Sequence, residues 1–127
     1  MIATKVSGGH LGAASMPEAC EQSLRNLGTD RIDLYQIHWP SRTVAIAESV
    51  AALERLREQG KIRFIGISNF GLLDIDDLVA AGHAEANQLL YSLLARTIED
   101  EVVPTCIAND LSILCYSPLA QGLLTGK

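Results

Sequence analysis

Apolar and polar positions divide this chain into short extended runs that alternate with amphipathic segments. Ile2–Val6 is short, β-branched and bounded by Gly8 and Gly9, which predicts a strand. Ser15-Met16-Pro17-Glu18 then has the form of a capping box with proline in the first turn. Cys20, Leu24 and Leu27 follow at helical spacing, and Gly28 marks the stop. Ile32–Trp39 predicts the second strand. Thr43–Gln59 predicts a helix with an Ile46, Val50, Leu53 stripe. Ile62–Asn69 reads as a strand, and Leu72, Ile75, Leu78 and Val79 as a helix ending near Gly82. Ala86–Leu93 reads as a strand, Glu101–Asn109 as a helix with Pro104 near its first turn, and Leu111–Leu119 as the last strand.

The order is therefore β-α-β-α-β-α-β-α-β, with strands beginning about 25 to 30 residues apart. Such alternation implies a parallel sheet with right-handed helical crossovers. Two α/β architectures remain open at this point: a doubly wound open sheet and part of an eight-stranded barrel. A dinucleotide-binding open sheet usually carries GxGxxG after its first strand. The segment KVSGGHLGAAS offers Gly8, Gly9 and Gly12 without that spacing and reads as a loop.

Composition narrows the function classes. Hydrophobic residues make up 48% and charged residues 20%, enough to fill a core and unlike a disordered chain. The 127 residues suggest one domain, 1–127, and the net charge of −5 has no basic stripe for nucleic acid. No apolar run approaches the roughly 20 residues of a membrane span, and MIATKVSGGH lacks a secretory h-region. The odd set Cys20, Cys106 and Cys115 contains no CxxC pair and suggests reduced thiols in a cytoplasmic protein without a metal site.

A second regularity concerns chemistry. Polar residues close each predicted strand at or near its C-terminal end: Lys5, His38, Ser68-Asn69, Gln88 and Tyr116-Ser117. In a parallel barrel those ends open on one face, where barrel enzymes bind and react their substrates. Taken singly, each has a structural reading: a packed histidine, a solvated lysine, a backbone-bonding glutamine, a rim tyrosine. Their shared location favours a site. Strand alternation puts Leu34, Gln36 and His38 on one face, and Tyr35, Ile37 and Trp39 on the other, toward the helices.

LGTDRIDLYQIHWP (27–40), GKIRFIGISNF (60–70) and YSPLAQGLLTGK (116–127) resemble the strand-four, strand-five and strand-seven segments of the aldo/keto reductases, and IATK (2–5) resembles their strand-three ending. The resemblance covers essentially the whole chain. It implies part of a (β/α)8 barrel that binds NADPH without a Rossmann fingerprint and transfers hydride to or from an aldehyde or ketone carbonyl. By motif position, Lys5 and His38 would be the family's catalytic lysine and histidine. Ser68, Asn69 and Gln88 would bind the nicotinamide carboxamide, and Tyr116 would stack on its ring. Ser117, Leu119, Ala120, Gln121 and Lys127 would serve the pyrophosphate and phosphates.

The matched segments correspond to family strands three through seven. The family's Asp and its acid Tyr lie on earlier strands and have no counterpart among these residues, where the tyrosines are Tyr35, Tyr91 and Tyr116. A complete barrel needs about 250 residues. The expectation is thus a partial barrel, with an open parallel sheet closed by self-association through its edges as the alternative. Two functional alternatives accompany it. One is an NADP(H)-binding module without turnover. The other is thiol chemistry by Cys115 and His38, disfavoured because parity would bury Cys115 against the helices.

Overall fold

The computed structural model describes residues 1–126. Five strands alternate with four α-helices: β1 Ala3–Val6, α1 Ser15–Leu27, β2 Ile32–Ile37, α2 Ile46–Glu58, β3 Ile62–Ser68, α3 Leu72–Ala81, β4 Ala86–Leu90, α4 Val102–Ala108 and β5 Ser112–Tyr116. All neighbouring strands are parallel and lie in chain order, β1-β2-β3-β4-β5. A doubly wound sheet reverses its order partway and carries helices on both faces. Here the order never reverses, so right-handed crossovers bring every helix to one face. This is the arrangement of a barrel wall, left open with one unpaired edge on β1 and one on β5.

The core lies between that face and the helices. Tyr35, Ile37, Ile65 and Ile67 from the central strands pack with Met16 and Cys20 of α1, Val50 and Leu53 of α2, and Ile75 and Leu78 of α3. The register pairs Tyr35 with Ile65 and Ile37 with Ile67, so these side chains share a face. The other face carries Lys5, Gln36, Gly66, Ser68, Gln88, Leu114 and Tyr116, which are neighbours across the strands.

Element ends differ from the sequence reading for local reasons. The Ser15 capping box does not form: Ser15 is the first helical residue, Ala14 precedes it, and Ser15 Oγ donates to Gly12 O at 3.3 Å. The Glu48 carboxylate of α2 instead accepts from the Ala13 amide at 2.7 Å. Gly28 ends α1 as expected, in the left-handed region at φ 64°. The α2 helix starts after Thr43 because Ser41 Oγ accepts from both the Thr43 and Val44 amides at 3.0 Å. β4 stops at Leu90, where Ser92 organises a turn by accepting from Leu94 and Ala95. β5 stops at Tyr116 because Ser117 has φ 53°.

Tyr35 is fully buried against α1, as its parity requires, and its hydroxyl has no hydrogen-bond partner. Burial pushes it up to about 12. The neighbouring Ser23 hydroxyl opposes that shift, yet Ser23 donates its own proton to Ala19 O at 2.9 Å. An unsatisfied buried hydroxyl costs about 1–3 kcal/mol. Tyr35→Phe is therefore expected to raise stability by about 1 kcal/mol or more. Urea denaturation of the two chains checks this, and a less stable phenylalanine variant contradicts it.

Candidate active site

The C-terminal ends of all five strands meet at one cleft of about 200 Å³, lined by Lys5, His38, Trp39, Ser68, Asn69, Gln88 and Tyr116. Strand geometry explains the gathering. Parallel strands end on the same edge, and residues paired in register stand side by side. Lys5 is paired with Gln36, Ser68 with Gln88, and Leu90 with Tyr116. Six of the eleven residues proposed from sequence line this cleft.

Hydrogen bonds tie its wall together. His38 donates its amide to Val6 O at 3.0 Å, which fixes the end of β2 against β1. Ser68 is buried, and its Oγ donates to Gln88 O at 2.9 Å. Asn69 follows directly with φ 61°, a left-handed conformation that asparagine tolerates better than most residues. Its Nδ2 donates to His38 O at 3.1 Å and to Ser68 Oγ at 3.0 Å. Tyr116 Oη donates to Asn69 Oδ1 at 3.0 Å. The imidazole of His38 is exposed and stands at the mouth. Lys5 contributes a positive charge, and among the described residues no carboxylate lines the cleft.

Trp39 was not singled out from sequence. Alternation placed it toward the helices, but β2 ends at Ile37 and the chain bends through His38 and Trp39. Alternation holds only within a strand, so Trp39 turns to the cleft and is 54% exposed, its ring centroid 6.2 Å from that of His38. The HW pair before Pro40 was the available signal, since the proline and the bend end the pairing.

The remaining sequence-derived residues lie beyond the cleft lining. Ser117 and Leu119 follow β5 in a loop, and Ala120 and Gln121 open a short 3-10 segment, Ala120–Thr125, with left-handed backbone at Ser117, Ala120 and Gln121. Ala120 donates its amide to Ser117 O at 2.9 Å. Lys127 lies outside the described residues. Cys115 has the helix-facing parity expected of it but is exposed rather than packed, because among the described residues no α-helix follows β5 to cover that flank. It borders a separate recess with Tyr91, Arg96 and Glu99, away from His38. There Arg96, and then the Tyr91 hydroxyl, hold the Glu99 carboxyl down at about 2.

A wider, shallow recess of about 510 Å³ opens at the opposite ends of the strands, lined by Glu21, Arg25, Asp30 and Lys61 among others. There Lys61 is paired with Glu21. Volume alone does not mark the site; convergence of strand ends and free polar groups does.

Known proteins give the same picture. The Aldo/keto reductase family model matches residues 1–127. The chain is 42% identical over 118 residues to Aldo-keto reductase YhdN of Bacillus subtilis, covering 93% of this chain and 36% of that protein. It is 42% identical over 120 residues to an NADH-specific methylglyoxal reductase of Escherichia coli, covering 92% of this chain and 37% of that one. A crystal structure of aldo/keto reductase from Klebsiella pneumoniae in complex with NADP and acetate matches with a TM-score of 0.91 and 40% identity, over 98% of this chain and 45% of that one. The chain thus spans less than half the length of these relatives, and its five strands correspond to part of a (β/α)8 barrel. By sequence and by fold, the chain belongs to the aldo/keto reductase family.

Proposed function

We propose that this chain carries the nicotinamide-binding wall and part of the catalytic set of an oxidoreductase that moves hydride between NADPH and an aldehyde or ketone carbonyl. The observation that carries the reading is the single cleft that joins Lys5, His38, Ser68, Asn69, Gln88 and Tyr116 from five different strands. The donor set suits a carboxamide-bearing ring: neutral amides and a hydroxyl on one side, an aromatic face on the other. The NADP held by the Klebsiella structure supports NADPH, while the NADH-specific relative makes NADH the cofactor to titrate beside it.

When bound, NADPH supplies the hydride. His38, exposed at the cleft mouth, hydrogen-bonds the substrate carbonyl oxygen and orients it. Negative charge grows on that oxygen during reduction, and the Lys5 ammonium at the same cleft stabilises it. Tyr116 gives the ring a wall, and Ser68 and Gln88 fix its amide edge. Ser117, Leu119, Ala120 and Gln121 serve the pyrophosphate, with Lys127 at the phosphates. A small carbonyl compound is the substrate class. The unpaired edges of β1 and β5 are where self-association would occur.

The second reading, cofactor binding without turnover, is favoured by one observation about the proton donor. Tyr116 is the single tyrosine lining the cleft, and its proton is engaged by Asn69. No family acid is therefore in place among these residues. NADPH fluorescence titration is expected to show saturable binding, weakened roughly tenfold by Tyr116→Ala. NADPH oxidation with 4-nitrobenzaldehyde by the same 127 residues is expected to be slight or nil. Absence of saturable binding would remove both readings for the chain, and robust turnover would remove the second.

A further inference from the structure

We infer that Asn87 is a positioning residue: from behind the sheet it clamps the turn that presents Ser68 and Asn69 to the cleft, acting through the Phe70 carbonyl without reaching the ligand. The inference rests on reading the cleft as a nicotinamide site.

The turn after β3 needs holding. Ser68 ends the strand on the cleft side, and Phe70 is 1% exposed in the core on the helix side. Between them the chain crosses from one face to the other through Asn69, at φ 61°. A residue other than glycine in that region carries strain and persists only where its surroundings fix it. Consecutive residues of β4 fix it. Gln88 O accepts from the Asn69 amide at 3.0 Å, before the crossing. Asn87 Nδ2 donates to Phe70 O at 3.0 Å, after it. Among the described residues no backbone amide donates to Phe70 O, so the Asn87 side chain is its partner.

Asn87 is unusual for its surroundings. It is fully buried and shares the helix-facing side with its register partners Ile67 and Ile113. A buried asparagine is costly unless its polar atoms are satisfied. Phe70 O can only accept, which fixes the atom facing it as Nδ2. Nδ2 also donates to Cys106 Sγ at 3.9 Å, a weak acceptor. Oδ1 has no partner among the described residues. A leucine would fill similar space with no orphaned acceptor. What leucine cannot do is donate to Phe70 O. That donor is what asparagine supplies at this position, and the turn is what the donor serves.

Asn87→Leu separates this role from general packing. It removes the orphaned Oδ1 and orphans Phe70 O instead, two changes of opposite sign for stability. NADPH affinity is expected to fall about fivefold, the equivalent of roughly one hydrogen bond, while the urea midpoint moves little. Ile113→Ala, on the same face of the next strand, is the control. It opens a cavity but leaves the clamp, so the urea midpoint is expected to fall and NADPH affinity to hold. Equal affinity losses in the two variants would reduce Asn87 to packing and overturn the inference.

NMR of the isotopically labelled chain reads the clamp without any cofactor. Asn87→Leu is expected to move the Phe70 carbonyl resonance and to shift Asn69 Cα and Cβ away from left-handed values. Ile113→Ala is expected to leave both in place. Should the leucine variant fail to fold, hydrogen exchange in the unaltered chain decides. The Asn87 Nδ2 protons and the Asn69 amide proton are expected to exchange together, since one opening of the turn frees both. Nδ2 protons that exchange freely while the Asn69 amide stays protected overturn the clamp. A clamp seen by NMR in a chain without saturable NADPH binding would remove the cofactor reading and keep the clamp. NADPH binding that Asn87→Leu leaves unchanged would do the reverse.

Discussion

Ile65→Ala is expected to cost about 2–5 kcal/mol of stability, toward the upper end of that range. Ile65 is fully buried on the central strand, in the cluster with the residues of α2 and α3. The loss exceeds simple transfer because the site cannot collapse. The Ile65 amide donates to Glu85 Oε2 at 2.7 Å, and its carbonyl accepts from the Glu85 amide at 2.8 Å. A strand held on both backbone groups keeps its position, so the cavity stays open. Domains are typically stable by only about 5–15 kcal/mol, so this one change removes a large part. Urea unfolding followed by circular dichroism measures it, and a loss below about 1 kcal/mol would show that the site relaxes.

Gly66→Val, one residue on, is expected to be destabilising by the opposite mechanism. A Cβ at Gly66 meets Gln36 Cγ at 2.6 Å and Leu34 Cδ1 at 3.0 Å. Gln36 and Leu34 are both buried on the cleft-side face. Gln36 lies across Gly66 and donates to Ile67 O at 3.4 Å. A valine forces that side chain off, which costs about 1–3 kcal/mol in overpacking and endangers a bond worth about 1 kcal/mol. The Gln36→Ala change is expected to recover part of the loss, since it removes the nearest clashing atoms. A double variant no more stable than Gly66→Val alone would mean that the strain resides elsewhere. The two neighbouring substitutions together test the face assignment: a cavity toward the helices, a clash toward the cleft.

Much of this was legible in the chain. Element type and order followed from periodicity, because each element buries one face and its apolar residues recur at the period of that face. Tyr35, Ile37, Ile65 and Ile67 follow the alternation, and all are buried. The gathering of Lys5, His38, Ser68, Gln88 and Tyr116 was also foreseeable, since parallel strands put their C-terminal ends on one edge.

Other features depend on where segments stop. Trp39 lies on the cleft side, opposite to the side strand alternation gives it, because β2 stops at Ile37 and the chain bends beyond it. Ser15 failed as a cap because Glu48, 35 residues beyond Ala13, reaches the start of α1 instead. Cys115 obeyed parity and is still exposed, because burial needs a covering helix as well as a facing direction.

The sequence by itself determined the alternating α/β plan, the family, and the set of residues that share one edge. Local periodicity and short motifs carry that information, and neither requires knowing what lies across space. Only the tertiary structure decided which of those residues touch. The links from Tyr116 to Asn69 and from Asn69 to His38 span 47 and 31 positions in the chain. Such contacts arise from strand register and a left-handed backbone at one asparagine, and no local pattern encodes them.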